Sequence, residues 1–197
     1  VRERPIDRVI LVPGLLEPHA MLWFLKRRLQ TRCDHVDLFP DRIIFRSLEQ
    51  SIARLSELLC DEQASSIGVV THSFGDWVAR QAIARSPEHR VRTMVSVAPA
   101  MRAGTILRAL RAVSGKSIPE ITVITNPDLA MARLDCDARV KRLVIWAKFD
   151  GLVRPVPLDS IEGLQVLPVA ATHLSVVMQP NVLKMIESTL FPADGSA

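Results

Sequence analysis

Ser73 lies in Val69-Val70-Thr71-His72-Ser73-Phe74-Gly75-Asp76-Trp77, where an apolar run of the buried-strand type passes directly into a helical pattern. A serine at such a junction sits on a sharp strand-to-helix turn that raises its Oγ above the carboxyl edge of a sheet. Small residues two positions to either side let the turn close; Gly75 meets that need, and Thr71 stands where glycine is more usual. The helix opening near Gly75 points its first N–H groups at any oxyanion forming beside Oγ. The chemistry is nucleophilic attack on a carbonyl, which needs a base on the serine and a carboxylate to orient that base. Ser-x-Gly alone decides little, because the chain also contains Ser66-Ile67-Gly68. Ser66, however, precedes its strand, whereas Ser73 follows one. The plainer reading, that Ser73 only caps a helix, rests on the general preference of serine for N-caps.

Two residues downstream suit the other roles. Asp150 follows the apolar run 142–147 and opens Asp150-Gly151-Leu152-Val153, on a loop at the carboxyl end of a strand, where site residues of parallel sheets gather. His173, in Ala171-Thr172-His173-Leu174, begins the loop after the next strand candidate and can fold back toward Ser73. Asp128 competes for the acid because it follows another strand candidate, and Asp76 adjoins the elbow but points along the helix away from a base. Among the other histidines, His35 lies on an early strand and His89 reads as surface after Ser86-Pro87. His72, inside the elbow, suits a structural hydrogen bond better than proton transfer, and His19 is placed to line a pocket. A lone loop histidine is more often simply hydrogen-bonded than catalytic; the weight on His173 comes from three pieces arriving in order.

The elements that must position these residues alternate. Residues 8–12 form a short apolar run stopped by Pro13-Gly14, and residues 18–30 set Met21, Leu22, Leu25 and Leu29 at helical spacing. Strand patterns over 35–39, 67–71, 92–97, 142–147 and 164–169 are separated or followed by helical patterns over 47–60, 76–85 and 175–190. Such alternation predicts an α/β fold: a mostly parallel central sheet with helices on both faces, in a single domain spanning 1–197. Residues 98–139 break the pattern and read as an excursion above the sheet, a small lid or cap. Within it, 121–125 is a strand candidate that the sequence leaves undecided. Ile106, Leu107, Leu110 and Val113 share one helical face, with Arg108 and Arg111 on the other. As a lid, that helix could meet an anionic lipid surface or acidic substrates. The favoured expectation is a helix packed on the sheet with its basic side in water.

Composition narrows the function classes. With 197 residues, 48% hydrophobic and 23% charged, the chain can enclose one core and is short for two. No apolar run approaches a bilayer span. The opening Val1-Arg2-Glu3-Arg4-Pro5 lacks both an initiator Met and the pattern of a secretory signal, which leaves a processed N-terminus open. Cys33, Cys60 and Cys136 are odd in number and scattered, against a disulfide framework or a zinc site. Reduced thiols and a cytoplasmic setting are expected, although a secreted enzyme without disulfides would look the same. The net charge of +4 is matched by Arg102, Arg108, Arg111 and Lys116 in a stretch without acids. The remainder is balanced, so no nucleic-acid footprint is expected.

Pro13-Gly14-Leu15-Leu16, Thr71-His72-Ser73-Phe74-Gly75, Asp150-Gly151-Leu152-Val153 and Thr172-His173 together resemble the α/β-hydrolase superfamily over nearly the whole chain. The likeness is greatest to small bacterial lipases and esterases with little or no cap. The resemblance implies Ser73 as nucleophile, His173 as base and Asp150 as its partner, in the chain order of that fold. It implies an oxyanion hole from the backbone N–H groups of Leu15 (or Leu16) and Phe74, each such donor worth about 3–4 kcal/mol in the transition state. An ordinary strand-ending turn would also account for Pro13-Gly14. Leu16, His19, His72 and Asp76 become candidates to line the pocket. The chain departs from many relatives at Pro13, where histidine is common, and at Asp76, where a second glycine is common; Asp76 is expected to bring a charge to the pocket rim. The implied reaction is hydrolysis of a small-molecule acyl ester without metal or organic cofactor, with transient lipid contact and no obligate protein partner. Thioesterase, amidase and acyltransferase chemistry use the same residues, and a non-catalytic binding protein of this fold is the rival outside enzymes.

Overall fold

The computed structural model describes residues 6–41, 47–115 and 117–192; Lys116 of the basic stretch lies outside the described residues. Six strands and three helices come where periodicity places them: β1 (Arg8–Val12), α1 (His19–Leu29), β2 (His35–Leu38), α2 (Leu48–Leu59), β3 (Ile67–His72), α3 (Gly75–Arg85), β4 (Val91–Val97), β5 (Lys141–Ala147) and β6 (Leu164–Val169); α7 (Pro180–Leu190) closes the chain. Between β4 and β5 lie α4 (Thr105–Ser114), α5 (Pro119–Thr125) and α6 (Pro127–Ala130). Among the described residues the strands form one sheet in the order β2-β1-β3-β4-β5-β6, every pair parallel.

A parallel sheet covered on both faces demands strands that are apolar on both sides. β3 meets this throughout, with all six residues of IGVVTH buried. Alternation assigns the faces. Ile10, Val12 and Val69 point toward Ile52, Leu55 and Leu59 of α2 and Val78, Ala79 and Ala82 of α3. Val9, Leu11, Val70 and Val95 point the other way, toward Leu22, Leu25 and Leu29 of α1 and Ile186 and Leu190 of α7. β2 and β6 are the two edges; β6 is mostly exposed and carries Pro168, a residue that edge strands tolerate. Because the strands are parallel and in register, with Val12 beside Thr71 and Thr71 beside Ser96, their carboxyl ends share one rim. The cysteines are free.

One open question is decided and three expectations are corrected. Residues 121–125 are helix α5, not a strand: β4 and β5 pair directly, from Thr93 with Lys141 to Val97 with Ile145, so the excursion has no place in the sheet. Pro119 supplies the preorganised first helical residue. The closing helix is divided, with a single 3-10 turn at Val176–Met178 and a fresh start at Pro180, whose missing N–H and constraint on Gln179 (ψ 133°) forbid a continuous helix. His89 is buried, not on the surface; its ring Nε2 lies 3.0 Å from Asp137 Oδ2 and its Nδ1 accepts from the Val91 N–H at 3.2 Å. Burial pushes the His89 pKa down despite Asp137. Finally, α4 does not bury its apolar face on the sheet: only Leu107 is buried, while Ile106, Leu110 and Val113 stand in solvent, Val113 at 87% exposure.

Candidate active site

The site is built on the carboxyl rim. β3 delivers Ser73 in a left-handed conformation, φ 51°, which a side-chain-bearing residue adopts only when its surroundings hold it there. They do: the Ser73 N–H donates to Val97 O at 3.0 Å, and Ser73 O accepts from Ala100 N–H at 3.1 Å. α3 begins two residues on, so close to the exit of β1 that a Cβ on Gly75 would lie 2.5 Å from both Val12 O and Pro13 O. Glycine is required there by space.

Ser73, Asp150 and His173 are all buried and meet in one hydrogen-bonded chain. His173 Nε2 is 2.9 Å from Ser73 Oγ, and His173 Nδ1 is 2.6 Å from Asp150 Oδ2. The second carboxylate oxygen, Oδ1, accepts from the N–H groups of Leu152 at 2.8 Å and Val153 at 2.9 Å. Burial pushes the Asp150 carboxyl upward, but the His173 hydrogen bond and charge, with the Val153 and Leu152 N–H groups, outweigh it and hold Asp150 below the ordinary carboxylate range. An ionised Asp150 accepts, so Nδ1 of His173 carries the proton and Nε2 presents its lone pair to the serine hydroxyl. The competitor Asp128 is exposed in the first turn of α6, and His35 is exposed on β2.

The loop Pro13-Gly14-Leu15-Leu16 passes beside the serine. A Cβ on Gly14 would sit 2.8 Å from Ser73 Cβ, so the Gly14 main chain lies directly against the serine side chain. The Glu17 N–H donates to Gly14 O at 3.3 Å, closing a turn in which Leu16 takes φ 59°. Among the described residues, the N–H groups of Leu15, Leu16 and Phe74 donate to no protein acceptor.

The pocket candidates divide. Leu16 is exposed beside the site, as are Phe149, next to Asp150, and Leu174, next to His173. Ile106 of α4 is exposed and lies against Gly151. His19 opens α1, half-buried, with Nε2 unbonded among the described residues. Two candidates are corrected. Asp76 is fully buried, not on a rim: Oδ1 accepts from Ser96 Oγ at 2.6 Å and Oδ2 from Arg80 Nε at 2.8 Å. A buried carboxylate is tolerable only with such partners. Arg80 in turn donates to Ala130 O, at 2.9 Å, and to Ala132 O, binding the end of α6 and the turn after it to α3. His72 lies behind the site rather than lining it, with Nδ1 2.8 Å from Glu17 Oε2 and Nε2 3.0 Å from His173 O. Glu17 escaped the sequence reading; the available signal was a lone acid in an otherwise apolar loop at a strand's carboxyl end, three residues after Gly14.

No family model and no curated protein matches the chain. Solved structures do. The enol-lactonase from Burkholderia xenovorans LB400 superposes with a TM-score of 0.64 at 15% identity, over 96% of this chain and 93% of that one. Carboxylesterase CesB from Bacillus subtilis gives 0.63 at 16% identity, over 100% and 86%. The monoacylglycerol lipase of Paleococcus ferrophilus gives 0.61 at 15% identity, over 92% and 94%. With its all-parallel sheet and flanking helices, the chain has the α/β-hydrolase fold. Among the described residues no helix is long and apolar enough to cross a membrane.

Proposed function

We propose that the protein is a serine hydrolase that cleaves a carboxylic ester through an acyl-enzyme on Ser73. The observation that carries this is the unbroken chain from Ser73 Oγ through His173 to Asp150, with distances of 2.9 and 2.6 Å, at the carboxyl rim of an α/β-hydrolase fold. In the proposed reaction His173 Nε2 takes the hydroxyl proton as Oγ attacks the ester carbonyl. The tetrahedral oxyanion is held by the free N–H groups of Phe74 and Leu15 or Leu16. His173 then returns the proton to the departing alkoxide, and water repeats the sequence to release the acid. Asp150 stays ionised throughout and stabilises the transient imidazolium, consistent with its lowered pKa. Among the solved structures of similar fold, an enol-lactonase, carboxylesterases and a monoacylglycerol lipase support an acyl–oxygen bond as the target, while a haloalkane dehalogenase shares the fold with other chemistry.

The apolar rim of Leu16, Ile106, Phe149 and Leu174 favours an acyl substrate over a polar one. The exposed stripe Ile106, Leu110 and Val113 continues that rim along α4, and the side chains of Arg102, Arg108, Lys148 and Arg154 have no partner among the described residues. This pairing of apolar and unpaired basic groups supports transient contact with an anionic lipid surface. A p-nitrophenyl ester series from acetate to palmitate, run on wild type and Ser73→Ala, tests the function. Turnover abolished by Ser73→Ala supports it, and the preferred chain length separates esterase from lipase. Thioester or amide turnover with no ester turnover would move the assignment to those substrates.

A further inference from the structure

A second buried acid–histidine pair lies behind the first, and the proposed reaction leaves it without a role. Glu17 and His72 are 8% and 2% exposed. Glu17 Oε2 accepts the Gly14 N–H at 2.6 Å and faces His72 Nδ1 at 2.8 Å, while His72 Nε2 faces the main-chain oxygen of His173 at 3.0 Å. The His72 and His173 rings are 5.0 Å apart between centroids. One connected network therefore joins the loop that carries Gly14, the elbow that carries Ser73 and the loop that carries His173.

Counting donors and acceptors defines its state. A carbonyl oxygen only accepts, so His72 Nε2 must carry a proton to bond to His173 O. A neutral imidazole would then present a bare Nδ1 to Glu17, and an ionised carboxylate also only accepts. The pair must accordingly hold one proton between Nδ1 and Oε2, and it is net-neutral wherever that proton sits. Burial pushes the Glu17 carboxyl up, but the His72 hydrogen bond and charge and the Gly14 N–H hold it below the ordinary range. Neutrality matters at this place. A lone positive ring 5.0 Å from His173 would oppose the imidazolium that His173 must become during reaction. A lone buried carboxylate would be costly in itself.

We propose that Glu17 and His72 are a positioning pair, which fixes the main chain of the base loop and of the oxyanion loop relative to Ser73 while adding no net charge beside His173. The proposal rests on the reading of Ser73, Asp150 and His173 as the reacting groups. The two ends of the pair have separate functions. At one end, Nε2 holds the peptide of His173 and complements Asp150, which holds the ring. At the other, Oε2 holds Gly14, whose main chain touches Ser73 and leads to the Leu15 and Leu16 N–H groups.

Glu17→Gln separates the ends. A glutamine amide can donate to a neutral His72 and keep the His173 bond, but no single atom of it can both receive Gly14 and donate to Nδ1. The expected result is a kcat reduced by about 10- to 100-fold, the scale of a misplaced catalytic group, with KM within about threefold and a melting temperature lowered by about 2–10 °C from the one buried hydrogen bond lost. His72→Phe removes both ends and should lose more. In the whole protein labelled with 15N-histidine, Nε2 of wild-type His72 should carry a proton, and Nδ1 should be bare in Glu17→Gln. The proposal is overturned by a wild-type His72 whose Nε2 is bare, or by a folded Glu17→Gln with wild-type kcat. A loss of activity that also removes the downfield Asp150–His173 proton signal overturns it too, because a positioning pair leaves that bond in place. Fluorophosphonate reaction of wild-type Ser73 keeps the two readings apart: if wild-type Ser73 does not react, the reaction assignment fails first, and the nitrogen signals still report on the pair.

Discussion

Replacing Gly75 by alanine puts a methyl group where the structure has no room for one. The added Cβ would lie 2.5 Å from both Val12 O and Pro13 O and 3.1 Å from Val12 C, whereas ordinary contact begins at 3.4 Å. The shortfall against each oxygen is about 0.9 Å. Neither oxygen belongs to a flexible side chain, and β1 is clamped between β2 and β3, so the start of α3 must retreat. That motion turns about Ser73, already held at φ 51°, and carries Oγ and the Phe74 N–H away from the Gly14–Leu16 loop. Overpacking of this kind costs about 1–3 kcal/mol. In a chain of this size each kcal/mol lowers Tm by about 2–4 °C. A displacement near 1 Å at a reacting group costs about 100-fold in rate. The assay is kcat on the best p-nitrophenyl ester together with thermal unfolding by circular dichroism. Gly163→Ala is the control: its φ is 72° with no atom within 4 Å, so it carries only the left-handed strain of about 1 kcal/mol and should keep kcat. A Gly75→Ala protein with wild-type kcat and Tm would refute the claimed contact between α3 and the β1 exit.

Three further outcomes follow from the same structure. Arg80→Met takes the nearer cation from Asp76, leaving Ser96 and Arg142 at 3.7 Å, and frees the Ala130 and Ala132 carbonyls, and should cost about 3 kcal/mol in urea unfolding; adding Asp76→Leu should recover part of that loss. Burial raises the pKa of Glu120 in the fold, so the unfolded chain ionises first, and the group's contribution is full below about pH 4.3 and lost as pH rises through the folded value. Glu120→Gln should therefore raise Tm at pH 7 and give no gain near pH 4. With Ser73→Ala in the background to prevent turnover, the protein should sediment with anionic vesicles and less with neutral ones, and Val113→Asp with Ile106→Asp should abolish the difference.

Much of this architecture was legible because a parallel sheet leaves local marks. β3 reads as a strand since all its residues are buried, and the loops at carboxyl ends are where Ser73, Asp150 and His173 had to lie if they were to meet. The sheet brings Ser73 and His173 together across 100 residues of sequence. What stayed hidden depends on neighbours from elsewhere in the chain. The β-branched run of α5 favours a strand locally, but β4 and β5 had already taken each other as partners. Periodicity shows that Ile106, Leu110 and Val113 share a face of α4 and is silent on whether anything covers it. Asp76 looked like a rim charge because its partner Ser96 lies a strand away, and Glu17 looked unremarkable because His72 is 55 residues distant. Charge is visible in a sequence, whereas the partner that allows its burial is not.

The central claim is that Ser73 is a nucleophile activated by His173. Fluorophosphonate labelling with peptide mapping tests it without knowledge of the substrate. The account predicts a single label on the Ser73 peptide, none in Ser73→Ala, and a rate lower by about 10⁴ in Asp150→Asn, where the histidine tautomer is no longer imposed. Folded wild type that stays unlabelled at Ser73 would contradict the account and point to a binding protein on the same fold.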